Sequence, residues 1–302
     1  MSRIKVWLTA FRLRTLPLAF SSIIMGSFVA CFYDVFSWPV FILALLTTLF
    51  LQVLSNLAND YGDTVNGADH DGRKGPARMV QSGQISLSSM KLAIGVFVAC
   101  SLLSGIGLVY IALGDVLSIT FLLFFLLGIA AIGAAIKYTM GNNPYGYRGL
   151  GDLYVLLFFG VVGVGGTFFL HALVWDWMVM LPALSVGALS AGVLNVNNMR
   201  DLDSDKAAGK HTLVVKFGLA SAKKYHYTLI VLAFVALFIF LIFNDVGYGA
   251  YLFVVTMPLF MIHLKSIHRA KKSEDFDPQL KRLALSTLVF VMVFGLGLLI
   301  HL

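Results

Sequence analysis

The chain has 302 residues, 59% of them hydrophobic and only 12% charged, with a mean hydropathy of +0.88. Those values exclude a soluble domain of this length and indicate an all-α integral membrane protein. Its only two cysteines, Cys31 and Cys100, both lie in apolar text and imply no disulfide framework; unbroken apolar runs disfavour an outer-membrane β-barrel.

In chain order, a basic stretch with Arg3, Lys5, Arg12 and Arg14 leads into nine apolar runs. These cover approximately residues 15–33, 38–57, 92–113, 117–138, 152–173, 177–195, 227–243, 248–267 and 283–302. Each is about 17 to 22 residues long, enough to cross a hydrocarbon core of about 30 Å. The first run resembles a signal peptide in its flanks, but it is longer than a usual signal core and the charge pattern requires it as a retained helix. All 22 Lys and Arg precede the first run, fall in every second loop or, like Lys137 and Lys265, stand at the edge of such a loop. The alternate loops are short and carry only Asp34, Asp115, Asp176 and Asp245. By the positive-inside rule the N-terminus and the long loops are cytoplasmic and the C-terminus is outside. The net charge of +7 is then an orientation signal rather than a nucleic-acid footprint. Residues 1–302 read as one polytopic domain in the cell (inner) membrane, with its chemistry on the cytoplasmic side.

Two stretches concentrate the polar residues. Asn56 to Gly83 places Asp60, Asp63, Asp69 and Asp71 ahead of Arg73, Lys74 and Arg78. Asn197 to Thr212 repeats the layout with Arg200, Asp201, Asp205 and Lys210. At about 100° per residue, Asn56, Asp60 and Asp63 share one helical face, as do Asn197, Asp201 and Asp205. Matched acids at membrane edges mark function more often than solvation. Facing carboxylates repel unless a cation lies between them. Mg²⁺ suits an all-oxygen set that also bridges to substrate phosphate, whereas His70 and His211 lack zinc-ligand spacing. A metal-bound diphosphate at a membrane surface implies an amphiphilic substrate, with Lys and Arg stabilising the leaving group. If the tail is allylic, aromatic faces can stabilise the resulting carbocation. Arg12 and Arg14, at the entry to the first span, read equally well as snorkelling anchors.

These residues resemble the UbiA-type family of integral-membrane aromatic prenyltransferases, whose two Asp-rich motifs correspond to Asn59-Asp60-Tyr-Gly-Asp63 and Asp201-Leu-Asp-Ser-Asp205. Residues 75–86, 137–152 and 195–218 extend the likeness, which is nearest to the branch that prenylates 1,4-dihydroxy-2-naphthoate in menaquinone synthesis. The resemblance implies nine transmembrane helices around a central cavity, Mg²⁺ dependence, a polyprenyl diphosphate donor, and an acceptor prenylated at its carboxyl-bearing carbon with loss of CO₂. It further implies that Asn56, Asp60 and Asp63 hold one side of the metal–diphosphate and Asp201 and Asp205 the other. Lys137 joins these acids as a catalytic candidate. Arg78, Tyr138, Arg148, Asn197, Arg200 and Lys210 are candidates for binding the diphosphate or the acceptor. The third acid of the first motif is replaced by Gly67, so either Asp69 or Asp71 substitutes for it or the position does not ligate. A sister enzyme acting on 4-hydroxybenzoate remains an alternative. A secondary transporter is disfavoured because mid-span charges are missing, and a CDP-alcohol phosphotransferase because its signature is not supplied.

Overall fold

The computed structural model describes residues 2–67 and 78–300. Asp69, Asp71, Arg73 and Lys74 lie outside these residues. Nine helical segments among the described residues are long and apolar enough to cross a membrane, in the expected order. A short helix α1 (Arg3–Phe11) and a 3₁₀ turn (Leu13–Thr15) lead into α2 (Leu16–Phe32). There follow α3 (Trp38–Val65), α4 (Leu87–Leu113) and α5 (Ile119–Lys137). The fifth span joins α6 (Gly151–Val155), a π-helical segment (Leu156–Gly166) and α7 (Thr167–Ala172). Then come α8 (Met180–Arg200), the short α9 (Leu202–Ala207), α10 (Leu213–Phe243), α11 (Met257–Arg269) behind a 3₁₀ stretch (Tyr248–Thr256), and α12 (Ser273–Leu298).

Local chemistry sets several helix starts. The hydroxyls of Ser86, Ser118 and Thr212 accept from the backbone N–H three residues on, at 3.1, 3.1 and 3.3 Å. Each satisfies one of the donors a helix start leaves unpaired. Pro17, Pro39 and Pro258 lie in first turns, where a missing N–H breaks no bond.

Several helices run further at the motif-bearing end than hydropathy indicates. α3 continues to Val65 rather than 57 and α12 begins at Ser273 rather than 283, while the chain before 227 is helical from Leu213 but kinks at Gly218 (φ 79°, ψ 166°). Hydropathy marks only what tolerates hydrocarbon, while the backbone ladder continues through polar residues. Asp60 and Asp63 consequently sit inside the last turns of α3, and both are buried. The second motif differs from the expected single helical face. The helix breaks at Asp201 (φ −94°, ψ 11°), so Asp205 belongs to α9 rather than to a continuation of α8.

α8 is the central helix, packed on α2, α10, α12 and the π segment. Closeness there comes from small residues: a Cβ on Gly160 would lie 2.6 Å from the carbonyl oxygen of Ala183, and one on Gly187 3.0 Å from that of Leu156. Phenylalanines 234, 240, 253, 260, 290 and 294 fill the core on the α10–α12 side. α3, α4 and α5 form a second group around Leu54, Leu57 and Met90. Between the two groups lies the cavity.

Candidate active site

The first motif closes on the chain that follows it. Both carboxylate oxygens of Asp60 accept backbone N–H groups, from Met79 at 2.9 Å and Val80 at 3.2 Å. Asp63, one turn on, accepts from Arg78 at 2.7 Å, from the Tyr147 hydroxyl at 2.9 Å and from Lys210 at 3.1 Å. Gly62 allows this convergence, because a Cβ there would lie 2.7 Å from the Thr139 carbonyl oxygen. The hydroxyl of Thr139 in turn donates to the Ala58 carbonyl and the Asn59 side chain, both at 3.1 Å. Segment 138–150 is thereby fastened to α3.

The second motif is organised by Arg200. Its guanidinium binds Asp201 through two bonds of 2.8 and 2.7 Å, reaches Asp277 on α12 at 2.9 Å, and donates to the Asn197 side-chain oxygen at 2.7 Å. Asp205 meets Lys210 at 3.4 Å. Lys210 therefore lies between one carboxylate of each motif, its ammonium 4.6 Å from the centre of the Tyr147 ring. The Tyr147 carbonyl also accepts the His211 N–H at 2.7 Å, so this residue touches both motif regions.

Burial is the largest influence on Asp205, and together with the charges of Asp201 and Asp63 it outweighs Lys210, raising the carboxyl to about 6. Burial also opposes the Lys210 charge, but the carboxylates of Asp63 and Asp205 prevail and raise its pKa above the ordinary lysine value. Burial, then the neighbouring Tyr145 and Asp205, pushes Tyr138 upward, which keeps its phenol protonated.

Among the described residues, no three Asp, Glu, His or Cys side chains converge on one point. The acids are opposed motifs rather than a closed cage. That arrangement fits Mg²⁺, which takes one or two carboxylates and leaves its remaining positions to water and phosphate. The observation carrying the fit is the Lys210 ammonium between Asp63 and Asp205: a positive charge already stands where two buried carboxylates face each other. Asn56 does not join them through its amide nitrogen, which donates to the Phe11 carbonyl at 2.9 Å and the Thr15 hydroxyl at 3.1 Å.

Below the motifs lies a cavity of about 470 Å³, reached by α2, α3, α4, α5, the π segment, α8 and α12. Along α3 its lining runs from Asn59 to Ala44, about 22 Å of helical rise. Asn56, Tyr138, Asn197 and Arg200 line it, whereas Asp60, Asp63, Arg78, Asp201, Asp205 and Lys210 stand outside its lining. The structure does not bring Lys137 or Arg148 to the site. Both side chains are exposed and neither lines the cavity. A loop residue's direction depends on backbone turns that spacing alone does not reveal.

One wall carries an aromatic ladder that spacing did not single out. Tyr145 stacks on Tyr154 with ring centres 4.0 Å apart, Tyr138 meets Tyr145 edge-on at 5.4 Å, and Phe158 continues the row at 6.2 Å from Tyr154. All four line the cavity. The Tyr145 hydroxyl donates to the Ala134 carbonyl at 3.0 Å, which fixes the ring to α5. Tyr147, within the 137–152 stretch, is likewise not singled out by spacing.

The model of the UbiA prenyltransferase family matches residues 19–288. The 1,4-dihydroxy-2-naphthoate octaprenyltransferase of Haemophilus influenzae is 42% identical over 303 residues, covering 99% of this chain and 97% of the relative. The enzyme of the same name from Escherichia coli is 41% identical, covering 99% and 96%. Among solved structures, a UbiA homolog from Aeropyrum pernix superposes with a TM-score of 0.66 at 16% identity, over 95% of this chain and 96% of that one. A UbiA homolog from Archaeoglobus fulgidus, bound to GPP and Mg²⁺, gives 0.64 at 17% identity, over 96% and 100%; these two likenesses speak for the fold. With the family model spanning nearly all of its helices, the chain belongs to the UbiA prenyltransferase family.

Proposed function

We propose that this chain transfers a polyprenyl group from an allylic polyprenyl diphosphate to 1,4-dihydroxy-2-naphthoate, with loss of CO₂, giving demethylmenaquinol. The carrying observation is the pairing of Asp63 and Asp205 through Lys210, above a cavity walled by aromatic and apolar side chains. Relatives at 32–42% identity bearing the naphthoate octaprenyltransferase name support the acceptor. The distribution of Lys and Arg supports a cytoplasmic position for the motifs in the bacterial inner membrane.

In this reading Asp60 and Asp63 on one side and Asp201 and Asp205 on the other hold Mg²⁺ and, through it, the diphosphate. Bound Mg²⁺ offsets the charge that builds on the departing diphosphate oxygen. Arg78 and Lys210, both tied to Asp63, complete the positive surroundings and bind phosphate oxygens directly. Arg200 holds Asp201 in place and links α8 to α12 through Asp277. The prenyl tail lies along the apolar wall. The Tyr138–Tyr145–Tyr154–Phe158 ladder presents π faces to the allylic carbon as positive charge grows there.

The acceptor choice has a chemical correlate. Prenylation at a carbon bearing hydrogen requires a proton acceptor near the ring. Prenylation at the carboxyl-bearing carbon does not, because departing CO₂ leaves its bonding pair to restore aromaticity. Among the described residues lining the cavity there is no Asp, Glu or His, which suits the decarboxylative route. The test is competition between dihydroxynaphthoate and 4-hydroxybenzoate for a labelled prenyl diphosphate, in membranes containing this protein. Product from dihydroxynaphthoate with stoichiometric CO₂ is expected; exclusive prenylation of 4-hydroxybenzoate would refute the assignment.

A further inference from the structure

Four cationic side chains line the cavity: Arg12, Arg14, Arg200 and Lys281. Among the described lining residues there is no carboxylate to match them. Arg200 is already engaged by Asp201 and Asp277. Arg14 and Lys281 belong to neither acidic motif, and the mechanism above leaves them without a task. They stand on neighbouring elements, because the 3₁₀ turn Leu13–Thr15 packs against α12.

The turn carrying Arg14 is a built feature. Arg12 takes a left-handed conformation (φ 50°, ψ 51°), uncommon for a residue with a side chain, and so separates α1 from the turn. The Thr15 hydroxyl donates back to the Arg12 carbonyl at 3.0 Å. That same oxygen accepts from Gln52 and Asn56 on α3, both at 3.1 Å. Asn56 thus fastens the turn to the helix that carries Asp60 and Asp63. A left-handed hinge held by cross-links from the motif helix fixes the backbone of Arg14 beside the cavity that its side chain lines.

An anion entering such a space leaves water and needs counter-charge. Of the two anionic groups in the proposed reaction, the diphosphate has Arg78 and Lys210, which stand outside the cavity lining. The remaining anion is the carboxylate of the aromatic acceptor. We infer that Arg14 and Lys281 form the acceptor-carboxylate subsite, orienting the ring so that its carboxyl-bearing carbon meets the allylic carbon. The subsite rests on the proposed function only in requiring an aromatic carboxylate. As the ring carbon bonds to the prenyl carbon, the bond from that carbon to the diphosphate oxygen breaks. The carbon–carboxyl bond then breaks, CO₂ leaves, and the electron pair returns to the ring. Both side chains keep accessible surface, so an entering carboxylate can reach them. They orient it without trapping its charge.

The test uses the full chain in nanodiscs and two fluorescent probes, 1-hydroxy-2-naphthoate and 1-naphthol, which differ by the carboxylate. Wild type is expected to bind the carboxylate about tenfold more tightly, the size of a charge-assisted hydrogen-bond contribution. In Arg14→Gln with Lys281→Gln that preference disappears, Arg14→Lys retains part of it, and the KM for prenyl diphosphate stays within about twofold. Should Arg14→Gln fail to fold, the exposed Lys281→Gln alone decides, with a smaller loss of preference expected. An unchanged preference in the variants, no preference in wild type, or a rise in prenyl diphosphate KM instead would overturn the subsite. If the preference follows Arg14 and Lys281 while wild type never prenylates dihydroxynaphthoate, the subsite stands and the assigned acceptor falls.

Discussion

Lys210 and Asp63 are 147 residues apart in sequence, yet their charged groups lie 3.1 Å apart. Asp205 approaches the same ammonium at 3.4 Å. One lysine thus couples the ends of α3 and α9 and holds apart two buried carboxylates that would otherwise repel.

Replacing Lys210 with Met removes that coupling and one cation of the proposed diphosphate site. Turnover is expected to fall by about 10²-fold or more, in the range for loss of one charge-stabilising group. The metal-free protein should also melt lower, and Mg²⁺ with a non-reactive prenyl diphosphate analogue should restore much of the loss. Steady-state kinetics and thermal melts with and without ligand check both effects.

The Asp205 carboxyl, raised to about 6 by burial and by the neighbouring acids, gives a pH signature. Its folded-state pKa lies above the unfolded value of about 3.9, so ionisation opposes folding; this group adds stability as pH falls through about 6. In the proposed function metal binding runs the other way, since the Asp205 proton would have to leave before Mg²⁺ is held. Mg²⁺ affinity is expected to weaken below about pH 6, and Asp205→Asn to remove most of that slope along with most of the affinity. Titrating Mg²⁺ at pH 5.5 and 7.5 measures it.

Tyr147 separates two contributions. Tyr147→Phe deletes the hydroxyl bond to Asp63 but keeps the ring beneath Lys210. Loss of that bond is worth about 1.5–3 kcal/mol at most, or roughly 10- to 150-fold in the KM for diphosphate. Tyr147→Leu removes the ring as well and should be worse. Equal kinetics for the two variants would show that the ring contributes nothing.

Gly62→Ala tests how the site is assembled. The added methyl would lie 2.7 Å from the Thr139 carbonyl oxygen, so segment 138–150 must move away from α3. A cost of about 1–3 kcal/mol in stability is expected, as for overpacking, with loss of activity because Tyr138, Tyr145 and Tyr147 move together. Chemical denaturation and activity assays on the same preparation report both.

Much of this was legible in the sequence. Nine apolar runs, spaced by loops with alternating charge, announce the helices, because crossing hydrocarbon leaves a composition that hydropathy detects. The echo of Asn56-Asp60-Asp63 in Asn197-Asp201-Asp205 picks out the two regions that the structure links through Lys210. Side-chain direction was not legible. Lys137 and Arg148 fit the chemistry by type but lie exposed, and Lys137→Ala is expected to change kcat by less than about threefold, as for a surface substitution. Asn56 has the motif spacing, yet its amide nitrogen secures the Arg12 hinge, a backbone feature without a sequence signature. The tyrosine ladder depends on how segment 145–158 folds against α5, which no local pattern specifies.

In the proposed reaction Asp63 and Asp205 act on one metal-bound diphosphate. Calorimetric binding of a non-reactive polyprenyl diphosphate analogue to wild type, Asp63→Asn, Asp205→Asn and the double variant, with Mg²⁺ and with chelator, tests it most directly. The expected result is tight binding only with Mg²⁺, a loss of about tenfold or more in each single variant, and a double variant little worse than either, since residues serving one ligand are not additive. Tight binding in chelator, or losses that simply add, would contradict it.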